Sequence, residues 1–187
     1  LERVGTVTIS NTVSGISNTV TIVQGGNIAT LEVDIPTAGT LSEILTDIQK
    51  ANIVNMKVTG TLNKDDFKTM EAMPKLTELD LSGAAVQGNV IPEEAMTSTK
   101  TSYGVTSYVS QSSLHKLILP EGIVSIGKAA FACVPLETVI LPTSLSSIKE
   151  YAFYCSDLTE VTIPADVILI EFDVFAYNKL LTSVYFA

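Results

Sequence analysis

The sequence has no tryptophan, a single histidine and only two cysteines among its 187 residues. One histidine, without a G-x-S-x-G elbow, does not support a hydrolase triad, and His115 stands at a strand position that normally faces solvent. Cys133 and Cys155 are too few for a disulfide scaffold and do not complete a zinc site by themselves. We therefore expect no enzyme activity, no metal and no cofactor.

Basic residues and long apolar runs are also scarce. The chain has 11 Lys and Arg against 20 Asp and Glu, a net charge of -9, which disfavours nucleic acid and anionic lipid as partners. No segment approaches the roughly 18 uninterrupted apolar residues of a membrane-spanning helix. At 46% hydrophobic residues, however, the chain can bury a core, which excludes disorder driven by low hydrophobicity.

An internal repeat is the strongest feature of the sequence. Three segments with the pattern L-x-x-[LV]-x-[LI]-P begin at Leu114, Leu136 and Leu158, 22 residues apart. Partial copies begin at Ile53, Leu76 and Leu181, giving about five and a half copies in all. Because one such unit cannot bury its apolar residues alone, the copies must stack in register. The inward residues of the return segments follow at fixed offsets: Ile126, Ile148, Ile170 and Phe131, Phe153, Phe175.

The repeat resembles the BspA-like class of bacterial leucine-rich repeats. The pairs Ile126-Gly127 and Ala130-Phe131, followed by Cys133, match that unit residue by residue, and the resemblance spans about residues 38–187. It implies an α/β, mostly β fold: a right-handed solenoid with a curved parallel strand ladder and short helical or irregular convex segments. Three positions depart from the unit: Lys149 and Glu171 replace glycine, and Tyr177 replaces a cysteine.

The N-terminal part differs from the repeats. Period-two alternation over residues 1–35 predicts strands, and Gln24-Gly-Gly-Asn27 predicts a β-hairpin turn. We therefore divide the chain into a β-rich cap at 1–39 and a repeat domain at 40–187. At the start of the latter, Thr40-Leu-Ser-Glu43 is interpreted as a capping box that opens a helix to about residue 51, and Asn63 as the start of a second helix.

The insertion at 97–113 and the two cysteines each allow two interpretations. The Ser- and Thr-rich insertion at 97–113, with Tyr103 and Tyr108, is either a partner-contacting loop or tolerated surface. The two cysteines occupy equivalent positions of adjacent copies, at about the 4.7–4.9 Å strand spacing. That spacing permits a disulfide, but packing as small buried hydrophobes is the favoured interpretation.

A candidate binding surface lies on the outward positions of the predicted concave strand ladder. Ile118 and Ile140 stand side by side where solvent favours polar residues, and exposed apolar surface tends to mark interaction sites. The alternative is the β-propensity of isoleucine alone. The proposed patch contains Lys116, Ile118, Thr138, Ile140, Glu160, Thr162 and Tyr185.

The function expected from the resemblance is a non-enzymatic, secreted or cell-surface binding protein of bacteria, adhesin-like and in some cases a lipoprotein. Its location would be extracellular or anchored at the outer surface, with a signal peptide that is not in this sequence. The partner would be a protein, host extracellular proteins included, or a glycan. Two alternatives stand beside it: a scaffold component of an envelope complex, and a glycan-binding module that uses the 97–113 insertion.

Overall fold

The computed structural model describes residues 30–187 with their side chains, and the backbone of residues 3–11 and 16–24. The fold is mostly β, with three short helices among the described residues: α1 (Leu41–Ile44), α2 (Asp47–Asn52) and α3 (Lys64–Glu71). The strands are β1 (Arg3–Asn11), β2 (Ile16–Gln24), β3 (Thr30–Ile35), β4 (Asn55–Leu62), β5 (Glu78–Val86), β6 (Val90–Ile91), β7 (Ser98–Ser102), β8 (Val105–Val109), β9 (Lys116–Ile118), β10 (Ser125–Ile126), β11 (Thr138–Ile140), β12 (Ser147–Ile148), β13 (Glu160–Ile163), β14 (Leu169–Ile170) and β15 (Ser183–Phe186).

The predicted stacking of repeats is confirmed by the main strand ladder. Strands β3, β4, β5, β9 and β11 form one parallel sheet in spatial sequence, and β13 pairs with β15 in the same sense. Glu78 pairs with Lys116 and Lys116 with Thr138, so equivalent residues of successive copies lie side by side. The middle residues of the strands point inward, where Leu117 and Val161 are buried.

The return segments form a second ladder on another side of each coil. Strands β6, β10, β12 and β14 pair in parallel and align Ile91, Ile126, Ile148 and Ile170. The turns that follow make a third side, which we define as residues 128–133, 150–155 and 172–177. Backbone hydrogen bonds also join these turns, as from Phe153 N to Val174 O at 3.0 Å. Backbone hydrogen bonds between neighbouring coils therefore form on all three sides, except on the main ladder between β11 and β13.

A stack of phenylalanine rings runs through the interior. The ring centroids of Phe131 and Phe153 lie 5.6 Å apart at 15°, and those of Phe153 and Phe175 lie 5.7 Å apart at 5°. Phe131 and Phe153 are fully buried, whereas Phe175 is partly buried in the last coils. The aligned row predicted from the 22-residue period is thus confirmed.

The glycine position of the repeat is taken by two oppositely charged residues in the next two coils. A side chain on Gly127 would meet the backbone of the preceding coil, 2.6 Å from Glu93 N. In the next two coils the equivalent residues are Lys149 and Glu171, whose Nζ and Oε1 atoms lie 3.0 Å apart. Hydrogen bonds from Lys149 and from the Glu150 N–H lower the pKa of Glu171. Two departures from the family pattern thus compensate each other as an ion pair.

The N-terminal prediction was partly wrong in its pairing. The antiparallel pair consists of β1 and β2, so its connection falls at 12–15 and not at the predicted turn Gln24–Asn27. Residues 12–15 and 25–29 lie outside the described part of the chain. The strand after that predicted turn, β3, pairs in parallel with β4 and opens the main ladder. The division of the chain at 39/40 stays a prediction.

The helix starts also differ from the prediction at one point. Thr40 makes no side-chain cap, and its hydroxyl donates to Thr37 O at 2.7 Å. The capping box belongs instead to Thr46 and Gln49, because α1 ends after one turn at an extended Leu45. The predicted cap at Asn63 is confirmed, with Asp66 as its second member.

Asp66 explains why α1 does not need its own cap. Its buried carboxylate accepts backbone N–H groups from Gly39 at 2.7 Å, Leu41 at 3.0 Å and Asn63 at 2.9 Å. The start of α1 is therefore satisfied by a side chain from α3, 25 residues later. This carboxylate ties two successive coils together.

We expect Phe153→Ala to destabilise the fold by about 3–5 kcal/mol, because it removes the middle ring of the buried stack and leaves a cavity. The measurement is the free energy of unfolding from guanidinium titrations followed by circular dichroism. Phe186→Ala is the matched control, since Phe186 is 74% exposed. Equal losses in the two variants would contradict the stacking argument.

Candidate functional site

The structure brings together the predicted patch on the outward face of the main ladder, which we call the ladder face. Ile118 pairs with Ile140, and Thr162 with Tyr185, so these side chains form one row across the strands. Ile140 is 49% exposed and Tyr185 52%, whereas Ile118 is partly buried. Lys116, Thr138 and Glu160 form the neighbouring row on β9, β11 and β13.

The ladder is interrupted beside these residues. Within residues 30–187, β9 pairs with β11 and β13 with β15, but β11 and β13 do not pair. His115 O accepts from Glu137 N at 2.8 Å, and Thr159 O from Thr182 N at 2.9 Å, whereas the corresponding bond from Thr159 N to Glu137 O is not formed. The interruption leaves strand-edge backbone groups without their usual partner.

A groove of about 420 Å³ lies at this interruption. Its apolar floor is slightly exposed, since Val139 is 7% and Leu141 9% exposed, against 0% for Leu117 in the unbroken part. The outward residues that line it belong to the predicted patch. The lining is Thr138, Val139, Ile140, Leu141, Thr143, Thr159, Glu160, Val161, Thr162, Pro164 and Ala187.

Charged side chains of the ladder face form ion pairs on the β9 side of the groove, whereas the carboxylate within the groove has no ion-pair partner among the described residues. Lys116 Nζ lies 3.4 Å from Glu78 Oε2, and Lys57 Nζ lies 3.8 Å from Asp80 Oδ2. Partial burial raises the pKa of Asp80, but hydrogen bonds from Ser82 and the positive charges of the two lysines outweigh it, and the pKa is lowered. Glu160 makes no ion pair among the described residues. The groove therefore combines apolar walls with one carboxylate available to a cation.

The same region contains the single histidine. His115 Nδ1 lies 3.3 Å from Glu137 Oε1, without the geometry of a hydrogen bond, and the His115 side chain is 45% exposed. Its placement on the strand surface is as predicted. Within the described residues, no group of three or more His, Cys, Asp or Glu side chains is arranged to hold a metal ion. None of the described helices has the length and apolar character of a membrane span.

The insertion at 97–113 is an antiparallel hairpin of β7 and β8. Its turn consists of Tyr103 at φ 50° and Gly104 at φ 78°, and Tyr103 is fully solvent-exposed at the tip. The base is anchored: the Thr97 hydroxyl donates to Ala132 O at 2.7 Å, and the Lys68 ammonium donates to Thr97 O. The hairpin is thus attached to the third side of the coils and not to the ladder face.

Tyr108 of the hairpin packs on a surface cluster that sequence reasoning missed. Its ring centroid lies 5.6 Å from that of Tyr151 and 6.3 Å from that of Tyr154. The cluster continues onto the next turn, where Phe172 lies 5.1 Å from Tyr151 and Tyr177 lies 5.1 Å from Tyr154. We call Phe172, Tyr151, Tyr154 and Tyr177, in this spatial order, the aromatic row.

The aromatic row could not be found from the repeat pattern. Phe172 stands at the position that Glu150 holds one coil earlier, and Tyr177 at that of Cys155, so no shared motif marks them. Only stacking of the coils brings these positions together, and only the hairpin adds Tyr108. Of the two tyrosines predicted in the insertion, the structure places Tyr108 at the row and Tyr103 away from it.

The cysteines lie on the third side, which corrects the expectation that both pack in the core. Cys133 is half-buried and Cys155 is exposed, and both are free thiols. Both have left-handed backbone, at φ 59° and 55°, at the ends of the turns, where side chains project outward. Cys133 Sγ donates to Tyr108 O at 3.4 Å. Burial, followed by the neighbouring Cys155, raises the pKa of Cys133 to about 11.

Comparison with known proteins agrees with this architecture. Residues 91–187 match the family model of the BspA type leucine rich repeat region, in 6 copies. The protein is therefore a leucine-rich-repeat protein, and the chain belongs to the BspA type leucine rich repeat family. The sequence resemblance reached further towards the N-terminus, to about residue 38, than this match does.

A solved structure is also similar, a leucine rich cell surface protein from Faecalibacterium prausnitzii A2-165. It aligns with a TM-score of 0.42 and 16% identity over 100% of this chain. This chain spans 54% of that protein, about half its length. Among curated proteins, no match was found.

We expect alkylation by iodoacetamide at pH 8 to label Cys155 before Cys133. The thiolate is the reactive form, and a pKa of about 11 leaves Cys133 almost entirely protonated until the pH approaches that value. Peptide mass spectrometry over time measures the order, and Cys133 labelling should accelerate as the pH rises from 8 to 10. Faster labelling of Cys133 than of Cys155 at pH 8 would contradict the described burial.

We expect Tyr108→Ala to loosen the hairpin and to raise the rate of tryptic cleavage after Lys100 by several-fold. Lys100 is exposed on β7, and protection there depends on the hairpin remaining docked, because an isolated two-stranded hairpin is marginally stable. Limited proteolysis followed by mass spectrometry gives the rate. Tyr103→Ala, at the hairpin tip, is the matched control and should leave cleavage unchanged; acceleration in both variants would argue against anchoring by Tyr108.

Proposed function

We propose that the protein is a non-enzymatic, cell-surface or secreted binding module that engages a protein partner through the ladder face. The observation that carries the proposal is the groove between β11 and β13, which coincides with the exposed Ile140 and the unpaired Glu160. Membership of the BspA type repeat family supports a protein-interaction role at the bacterial surface. An adhesin that binds host extracellular proteins is the specific form we propose.

The chemistry of the groove suits a side chain with an apolar stem and a cationic end. Burial of the stem against Ile140 and Leu141 contributes roughly 25 cal/mol per Å² of apolar surface removed from water. The cation would then approach Glu160, and the strand-edge backbone of β11 and β13 offers hydrogen-bonding groups beside it. Lysine and arginine both have this amphipathic build.

The row Ile118, Ile140, Thr162 and Tyr185 extends this surface beyond the groove. Within the paired strands, Ile118 and Ile140, and likewise Thr162 and Tyr185, lie at the strand spacing of about 4.8 Å. That spacing is close to the axial rise between side chains three or four residues apart on one face of an α-helix. A partner helix lying across the strands would therefore bring an apolar stripe onto the row in register.

We expect Ile140→Ser to weaken binding to an immobilised extracellular-matrix protein by about tenfold, as a central apolar contact does when truncated. The measurement is surface plasmon resonance against a panel of purified matrix proteins, each in native and enzymatically deglycosylated form. Ile168→Ser is the matched control, because Ile168 is 89% exposed next to β14, on the second ladder.

Binding to the deglycosylated form, lost in Ile140→Ser and kept in Ile168→Ser, supports the proposal. Binding that Ile140→Ser leaves unchanged would reject the ladder face as the site. A lack of binding to every matrix protein in the panel would reject the adhesin role. Glu160→Gln should remove part of the affinity at low salt and little at high salt, because screening weakens the exposed charge pair.

A further inference from the structure

The two cysteines are direct neighbours across a coil boundary. Cys133 N donates to Tyr154 O at 2.7 Å. In a parallel pairing of this kind the residue after the acceptor lies opposite the donor residue, so Cys133 faces Cys155. The Cα atoms of such partners lie about 4.8 Å apart, inside the range of roughly 4.4–6.8 Å that disulfides span. The backbone therefore brings the two thiols within reach of a bond.

The two cysteine side chains leave the backbone in the same direction. Cys133 has φ 59° and Cys155 φ 55°, the same left-handed conformation at the same place in two successive turns. With parallel Cα–Cβ bonds, the Cβ atoms lie about 1 Å farther apart than the mean of roughly 3.8 Å in disulfides. Bond formation thus needs a small movement of the turns and leaves strain in the product. Strain makes a disulfide easier to reduce, so this bond would be reversible.

No other thiol of the chain competes for either cysteine. The sequence contains only these two. On the far side of Cys155 the column continues with Tyr177, because Cys155 N donates to Ala176 O at 2.8 Å. A disulfide within one chain therefore joins Cys133 to Cys155 and links two successive coils.

The two thiols differ in access, which sets the order of their reactions. Cys155 is exposed, whereas Cys133 is half-buried. Burial and the neighbouring Cys155 raise the pKa of Cys133 to about 11, which keeps the Cys133 thiol protonated at neutral pH. Cys155 is therefore the cysteine that reacts first with an oxidant from solvent.

A small-molecule disulfide such as oxidised glutathione supplies a balanced reaction. The Cys155 thiolate attacks one sulfur of the reagent, releases one glutathione thiolate and becomes a mixed disulfide. Cys133 then loses its proton to solvent and attacks the Cys155 sulfur, which releases the second glutathione thiolate. The two cysteines lose two electrons and two protons, and the reagent is reduced to two thiols.

Closing this bond removes a contact of the hairpin. Cys133 Sγ donates to Tyr108 O on β8 at 3.4 Å. A disulfide has no S–H group, and its Cys133 sulfur must turn towards Cys155, so Tyr108 O loses this donor. The ring contacts of Tyr108 with Tyr151 and Tyr154 do not involve the thiol. Oxidation therefore weakens the attachment of the hairpin without abolishing it.

We propose that Cys133 and Cys155 form a reversible redox site, whose oxidation by a small-molecule disulfide links two successive coils and loosens the hairpin at 97–113. The site lies on the third side of the coils, away from the ladder face, and does not depend on the protein partner proposed above. In the extracellular location proposed for the protein, disulfides form and persist.

The first test is incubation of the whole chain with excess oxidised glutathione at pH 8, followed by acid quenching and mass spectrometry. The expected product is lighter than the reduced chain by two hydrogen atoms and carries no glutathione. Trypsin cuts between the cysteines at Lys149, so a non-reducing digest should contain the two cysteine peptides joined. Excess reduced glutathione should restore the original mass. A product that holds only glutathione on Cys155, or only links between chains, would overturn the proposal.

The second test compares tryptic cleavage after Lys100 in the native reduced and oxidised chains. The oxidised chain should be cut about two- to fivefold faster, the factor that one weak hydrogen bond contributes to docking of the hairpin. Cys133→Ser keeps a hydroxyl donor for Tyr108 O, and Cys155→Ser removes only the bonding partner. Both variants, shown to be folded by circular dichroism, should be cut at the reduced rate with or without the oxidant. Equal rates for the two forms of the wild-type chain, or the same acceleration in the serine variants, would reject the link between oxidation and the hairpin.

Discussion

In-register stacking of coils is the constraint on which the rest of this structure depends. A single coil has apolar residues on three sides and backbone groups that it cannot satisfy by itself. Neighbouring coils supply apolar contacts and hydrogen-bond partners. Phe153 stacks on Phe131 of the preceding coil, and the Phe153 N–H donates to Val174 O of the following one. Equivalent residues of successive coils therefore lie side by side in columns. The charge or apolar character of the outward columns sets the character of the surface.

Surfaces of such a protein are defined by what each column contributes. Where a column holds complementary charges, as at Lys149 and Glu171, neighbouring coils neutralise each other. Where it holds apolar residues, as at Ile118 and Ile140, the surface keeps a strip of apolar side chains. The ladder face is such a strip, whereas the aromatic row, on another side of the coils, gathers residues from different columns. One scaffold thus presents chemically distinct surfaces on different sides of the coils.

Interruptions of the regular unit add the features that a perfect array would lack. The missing pairing between β11 and β13 opens a groove beneath the outward residues. The hairpin inserted at 97–113 places Tyr108 over turns of later coils. Asp66, from a helix of one coil, completes the start of a helix in the coil before it. Each of these is a long-range contact built on the regular frame.

The sequence by itself determined the repeat, its period, the buried Phe131, Phe153 and Phe175 row and the columns of the ladder face. It could do so because apolar spacing is a local property that stacking repeats in every copy. The same reasoning misplaced the hairpin turn and the cap at Thr40, because β3 pairs with β4 and the start of α1 is satisfied by Asp66, both later in the chain.

Tertiary structure alone decided the groove, the outward position of Cys155 and the aromatic row. These depend on which coils lose their pairing, on left-handed turn ends and on the path of an insertion. The groove and the aromatic row do not follow the period, and the left-handed backbone at Cys133, Cys155 and Tyr177 recurs without a residue type that marks it. They arise from distances between residues of different coils, which only the folded chain sets.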